Sequence, residues 1–127
     1  MNVHGAGLAR RGAGAHFETV ALTHLERAGL SLVMRNFNCR YGELDLVMLD
    51  RDCLVFVEVR YRRASAFGDG ADSVSAGKRA RLARAAAMFL AAHPRFARHT
   101  CRFDVLAVAG DAAAPSLDWR RSAFEIS

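Results

Sequence analysis

Two segments rich in Val, Leu and Phe, Glu43–Asp50 and Cys53–Arg60, are separated by only two polar residues, Arg51 and Asp52. Apolar runs of this length with so short a polar break predict an antiparallel β-hairpin. A symmetric turn centred between Arg51 and Asp52 then sets the register. Asp50 faces Cys53, and five positions further from the turn Asp45 faces Glu58. Directly opposed residues share a sheet face, with Cβ atoms about 5 Å apart. Two carboxylates held that close repel each other unless something positive lies between them. A turn with an odd number of residues would slip the register and break the pairing.

Strand alternation puts Glu58 and Arg60 on the face that carries Asp45, with Leu54 and Phe56 further along it and in need of a covering helix. An apolar face therefore gives way to a charged one at one end of the hairpin. Two acidic groups completed by water and phosphate suit Mg²⁺ or Mn²⁺, which prefer hard oxygen ligands. The plainer alternative is an exposed Glu58–Arg60 ion pair at a sheet end, common and weakly stabilising.

The remaining elements follow from periodicity and punctuation. Residues 1–14, glycine-rich with Arg10 and Arg11, read as a flexible basic arm, and 15–127 as a single domain. Phe17, Ala21, His24, Leu25 and Ala28 share one helical face, with Glu18 at its edge, and Gly29 ends the helix. Leu32–Phe37 reads as a strand. Residues 61–74 form a polar loop, and Ser75 caps a helix running to about Ala92 with Leu82, Ala85, Ala86, Phe89 and Leu90 as its buried stripe. Pro94 closes that pattern, Arg102–Val108 is a further strand, and Leu117–Ile126 reads as an edge strand. The order is α-β-β-β-α-β with a tail, an α/β fold whose last crossover is right-handed. Lys78 shares the spacing of the buried stripe one turn before Leu82, so Lys78 and Arg79 can lean toward the acidic pair, whereas Arg81 and Arg84 point away.

Composition sets the outer bounds. With 127 residues the chain fits one domain. No apolar run approaches a membrane span and no signal-peptide pattern opens the chain, so a cytoplasmic protein without a membrane partner is expected. Lys and Arg total 18 against 13 Asp and Glu, a net charge of +5 that leans toward an anionic partner. Lys78 is the only lysine. Cys39, Cys53 and Cys101 lack any C-x-x-C spacing and read as reduced, packed thiols. The five histidines form no ligand-like or triad-like grouping.

Several short pieces, in this order and spacing, resemble the YraN-like family of small bacterial proteins. They are Glu18-x-x-Ala21 with His24-Leu25, Asn36-Phe37, Gly42-Glu43-Leu44-Asp45-Leu46, Val55-Phe56-Val57-Glu58-Val59, Gly68, Lys78-Arg79 and Arg102-Phe103-Asp104-Val105. That family is similar in turn to the PD-(D/E)XK restriction-endonuclease-like superfamily. The resemblance implies a restriction-endonuclease-like core, with a mixed central sheet flanked by helices. It also implies Mg²⁺ or Mn²⁺ bound by Asp45, Glu58, the Val59 carbonyl and Glu18, and phosphodiester hydrolysis at that metal. The usual Glu-Val-Lys here reads Glu58-Val59-Arg60, and arginine keeps the positive charge but cannot give up a proton near neutral pH. Asp45, Glu58 and Arg60 are the implied catalytic residues, with Lys78 a candidate stand-in for the missing lysine. Asp104 recurs in the resemblance without an assigned role.

Two functions follow as expectations. One is a metal-dependent endonuclease acting on DNA, including branched or structured DNA; the other is a non-catalytic nucleic-acid-binding domain that kept the fold. In either, DNA is favoured over RNA and the binding surface includes Arg62, Arg63, Lys78 and Arg79, with Arg10 and Arg11 in the arm. Related resolvases work as dimers, which leaves a homodimer open.

Overall fold

The computed structural model describes residues 5–62, 74–110 and 113–124, with the side chains of 5–15 and of Arg62 left out. The elements are α1 (Gly5–Arg27), β1 (Ser31–Cys39), β2 (Gly42–Asp50), β3 (Cys53–Arg62), α2 (Ala76–Ala92), β4 (Thr100–Ala109) and β5 (Ser116–Phe124), with a single 3₁₀ turn at Pro94–Phe96. They form one five-stranded sheet in the order β1-β2-β3-β4-β5. Only the β3–β4 pair is parallel, joined through α2. The architecture is the expected α/β arrangement with a mixed sheet.

One expectation is corrected. The helix whose apolar face opens with Phe17 begins at Gly5, so residues 5–14, read as a flexible arm, belong to α1. Alanine, leucine and arginine between the glycines are strong helix formers, and they carry the helix through positions that glycine disfavours. Residues 1–4 of that arm lie outside the described residues.

Each helix covers one face of the sheet. Against α2, Leu82, Ala85, Ala86 and Phe89 pack with Val47, Leu54, Phe56, Phe103 and Val105. Against α1, Ala21 and Leu25 pack with Leu46, Met48, Val55, Val57, Leu106 and Val108. From Leu46 toward the turn, this alternation puts odd positions of β2 and even positions of β3 on the α2 face, and Leu44, beyond Asp45, joins the same cluster. Ser75 caps α2, its hydroxyl accepting from the Lys78 N–H at 3.1 Å. The β2–β3 loop consists of Arg51 and Asp52, with Arg51 at φ 57°, a conformation glycine more often supplies.

Asp104 lies fully buried on the α1 face, opposite the face of Glu58. The β4–β5 register shifts between Phe103 and Val105, and Ser122 in the irregular stretch of β5 has φ 50°. Asp104 fills that break. Its carboxylate accepts from the Ser122 N–H at 2.9 Å and Trp119 Nε1 at 2.9 Å, and pairs with Arg102 at 3.0 Å. Arg102 in turn reaches Asp50 at 3.0 Å. Burial works against the guanidinium, yet its bonds to both aspartates raise its pKa above the ordinary value.

Asp104 is therefore a structural residue, holding a β-bulge together. Asp104→Ala strands Arg102, Trp119 Nε1 and the Ser122 N–H, and is expected to destabilise the fold by about 3 kcal/mol. Urea denaturation measures this, and a loss below about 1 kcal/mol would contradict the assignment.

Candidate metal and phosphate site

The β2–β3 ladder has the register expected from the sequence, running from Asp50↔Cys53 to Leu46↔Val57. At the next step the backbone pairing stops. The Val59 N–H donates instead to the Asp45 carboxylate, to Oδ2 at 2.8 Å. The gap extends to the other neighbour of β2. Asn36 stands opposite Asp45, between the paired positions Arg35↔Leu46 and Phe37↔Leu44, and has φ 56°. Asparagine tolerates that left-handed conformation better than most residues. Asp45 thus occupies a break in the sheet on both sides.

Glu58 lies beside it, only 8 % exposed. Asp45 and Glu58 share the wall of a crevice with Leu44, Phe56, Val57, Leu82 and Phe103 that is too tight for a water molecule. The carboxylates therefore form the rim of the apolar core rather than the floor of a deep pocket. Lys78 Nζ is 2.5 Å from Glu58 Oε2, and Arg60 Nε is 3.9 Å from the same oxygen. The first turn of α2 delivers Lys78 to this point, fixed by the Ser75 cap.

No cation pairs with Asp45 among the described residues. Burial pushes its carboxyl up from 3.8 to about 8; the charges of Glu58, then Glu18 and Glu43, add to the rise, and the Val59 N–H opposes it. Glu18 and Glu43 face each other across Asn36. With the amide turned so that its nitrogen donates, that nitrogen is 3.1 Å from Glu18 Oε1 and 2.7 Å from Glu43 Oε2. Arg35 Nη2 lies 3.6 Å from Glu18 Oε1.

The structure brings Asp45, Glu58, Val59, Arg60 and Lys78 together. Glu18 contributes charge from the side and is held by Arg35 and Asn36 rather than joined to the pair. Among the described residues no three His, Cys, Asp or Glu side chains form a group able to hold a metal ion, so Glu18 does not complete a three-carboxylate set with Asp45 and Glu58. Arg79 turns elsewhere: its Nε donates to the Val74 carbonyl at 2.9 Å and its guanidinium lies 5.8 Å from the Phe124 ring. The Arg62 side chain, the side chains of Arg10 and Arg11, and Arg63 and Gly68 lie outside the described residues. Asn36 is the site residue that sequence reasoning missed. It was visible only as half of the Asn36-Phe37 pair, since nothing local distinguishes an asparagine in a strand from one at a break.

The chain matches the uncharacterised protein family UPF0102 over residues 17–108. It is 54% identical over 112 residues to a UPF0102 protein of Stutzerimonas stutzeri, covering 88% of this chain and 93% of that one. A UPF0102 protein of Xanthomonas campestris pv. campestris is 54% identical over 118 residues, 93% of this chain and 95% of the relative. The chain belongs to the UPF0102 family. The YraN-like resemblance read from the sequence is this membership. Glu18, Asn36, Asp45, Glu58, Val59, Arg60 and Lys78 all lie within the UPF0102 match, which Arg10 and Arg11 precede. No helix among the described residues is long and apolar enough to cross a membrane.

The electrostatics set a pH dependence. Folded Asp45 holds its proton to about pH 8, whereas the unfolded carboxyl releases it near 3.8, so between these values the folded state binds the extra proton. Its contribution to stability is fully present below the unfolded pKa and is lost as pH rises through the folded one. Wild-type Tm should therefore fall more steeply than that of Asp45→Asn between pH 5.5 and 8.5. Parallel Tm profiles would contradict the raised pKa.

Proposed function

We propose that this UPF0102 protein binds DNA and hydrolyses its phosphodiester bonds with a divalent cation, Mg²⁺ or Mn²⁺, held by Asp45 and Glu58. The observation that carries the reading is the break in the sheet at Asp45, where a half-buried carboxylate with no cationic partner among the described residues meets a second one. Two acidic groups this close at the edge of an apolar core repel each other whenever both are ionised, so the pair is costly unless a proton or a cation stands between them. An all-oxygen, negative donor pair fits a hard divalent ion, and Mg²⁺ commonly uses one or two carboxylates, with water and substrate phosphate completing its shell. The Val59 carbonyl, next to Glu58 in the chain, is the third donor implied by the likeness to restriction-endonuclease-like proteins.

When bound, such an ion supplies Lewis-acid polarisation of a phosphoryl oxygen and activation of water. The chain's own groups do the rest. Asp45 gives up its proton and, held by the Val59 N–H, keeps one oxygen oriented. Arg60 and Lys78 present positive charge where negative charge builds on the phosphate. Arg60 serves by charge alone, since its guanidinium does not deprotonate near neutral pH. The shallow rim suits a large substrate lying across the protein, and the net charge of +5 favours a polyanion.

A second reading, a DNA-binding domain without catalysis, is favoured by one observation: a lysine already neutralises Glu58. Cleavage separates the two. With Mn²⁺ or Mg²⁺ and a panel of linear, nicked and branched DNA, the wild type should cut, and Asp45→Asn and Glu58→Gln should each lose at least about a hundredfold in rate. Cutting that survives both substitutions would place the activity elsewhere. Binding without cutting would select the second reading.

Binding itself should weaken steeply with salt. Affinity for a short duplex plotted against salt on logarithmic axes should have a slope of several units, reflecting phosphate contacts by the arginines. A flat plot would remove nucleic acid as the partner.

A further inference from the structure

The single lysine of the chain sits on the carboxylate that the proposed cation needs. Lys78 Nζ is 2.5 Å from Glu58 Oε2, and the Lys78 side chain is 38% exposed while that of Glu58 is 9% exposed. The ammonium thus reaches the buried oxygen from the solvent side, at the end of a flexible stem. Its backbone is pinned by the Ser75 cap, but its head is anchored only by this ion pair among the interactions described. Arg60 approaches the same oxygen to 3.9 Å, too far for a direct hydrogen bond. Asp45, the second carboxylate, has no such cation among the described residues.

We propose that Lys78 is an exchangeable counter-ion: it occupies Glu58 in the free protein, leaves it when a divalent cation binds, and is thereby released to a phosphate at the same rim. This rests on the metal reading of Asp45 and Glu58. It assigns Lys78 two successive partners and makes it a competitor of the metal as well as an aid to the substrate. A cation that takes the oxygen Lys78 occupies competes with the ammonium for it, because two positive charges drawn to Glu58 Oε2 repel each other. The displaced head group stays within a side-chain length of the carboxylates, where the phosphate of a bound strand would lie. The exchange also gives opposite signs to two effects of removing Lys78: metal binding improves, while binding of the phosphate polymer weakens.

The chain's composition makes the test direct. Because Lys78 is the only lysine, labelling with lysine enriched in ¹⁵N at Nζ yields a single ammonium signal. In the free protein that signal should be observable, its protons slowed in their exchange with water by the ion pair. Titrating Mg²⁺ should shift it or broaden it away as the ammonium moves into water. A signal unchanged at saturating Mg²⁺ would overturn the exchange. In parallel, calorimetric titration with Mn²⁺ should give a Kd about fivefold lower for Lys78→Met than for wild type, the scale of a partly exposed ion pair. Lys78→Arg, which keeps the charge, should stay close to wild type, and Arg60→Met should tighten binding by less.

Equal Mn²⁺ affinity in wild type and Lys78→Met, or an equal gain in Arg60→Met, would overturn the proposal while leaving the metal site standing. No Mn²⁺ binding by any of these proteins, folded by circular dichroism, would overturn the metal reading and this proposal together.

Discussion

Two aspartates sit at breaks in the same sheet, and the difference between them organises the molecule. Asp104 closes the β4–β5 irregularity with a full complement of partners: a guanidinium, an indole N–H and a backbone N–H. Asp45 closes the β2–β3 break with one backbone N–H, and the charges that act on it among the described residues are the carboxylates of Glu58, Glu18 and Glu43. A buried carboxylate with every lone pair answered is a cross-link. One with a single donor and like charges around it holds unspent electrostatic energy, relieved only by a proton or a cation. The same residue type, placed on opposite faces of one sheet, thus serves cohesion in one case and supplies a chemically available group in the other.

Much of this was legible because the hairpin is short-range. The two-residue break between Glu43–Asp50 and Cys53–Arg60 set the register, and register with period-two alternation placed Asp45, Glu58 and Arg60 on one face before any tertiary contact was known. The stripe spacing of α2 likewise carried Lys78 to the right side. What escaped depends on partners distant in sequence. Arg79 shares the first turn with Lys78, yet its guanidinium is drawn away by the Val74 carbonyl and the Phe124 ring, and neither is signalled by helical periodicity. The role of Asp104 required knowing that β5 bulges at Ser122. The start of α1 was missed because glycines were read as a break, although the residues between them support the helix.

The arginines divide by what they touch. Arg102 is structural, Arg35 steadies Glu18, and Arg40 and Arg84 both lie over the Tyr41 ring, tying the β1–β2 turn to α2. Such guanidinium–aromatic stacking uses the planar, weakly hydrated head that lysine lacks. A basic excess that looks uniform in composition therefore contains several cations already committed to the protein itself.

The parallel pairing of β3 with β4 has a consequence for how the chain reaches this state. The hairpin that brings Asp45 next to Glu58 needs only a two-residue turn, whereas Lys78 arrives with the helix of the crossover from β3 to β4, which sets Thr100 beside Cys53. Local hairpins close before long crossovers, since the entropy of closing the longer loop must be met first. During folding the two carboxylates therefore meet without their lysine, and their repulsion opposes the hairpin at the moment when the nascent sheet depends on it. Protonation of the pair relieves that repulsion, so mild acidity eases the closing of the hairpin from which the sheet is assembled.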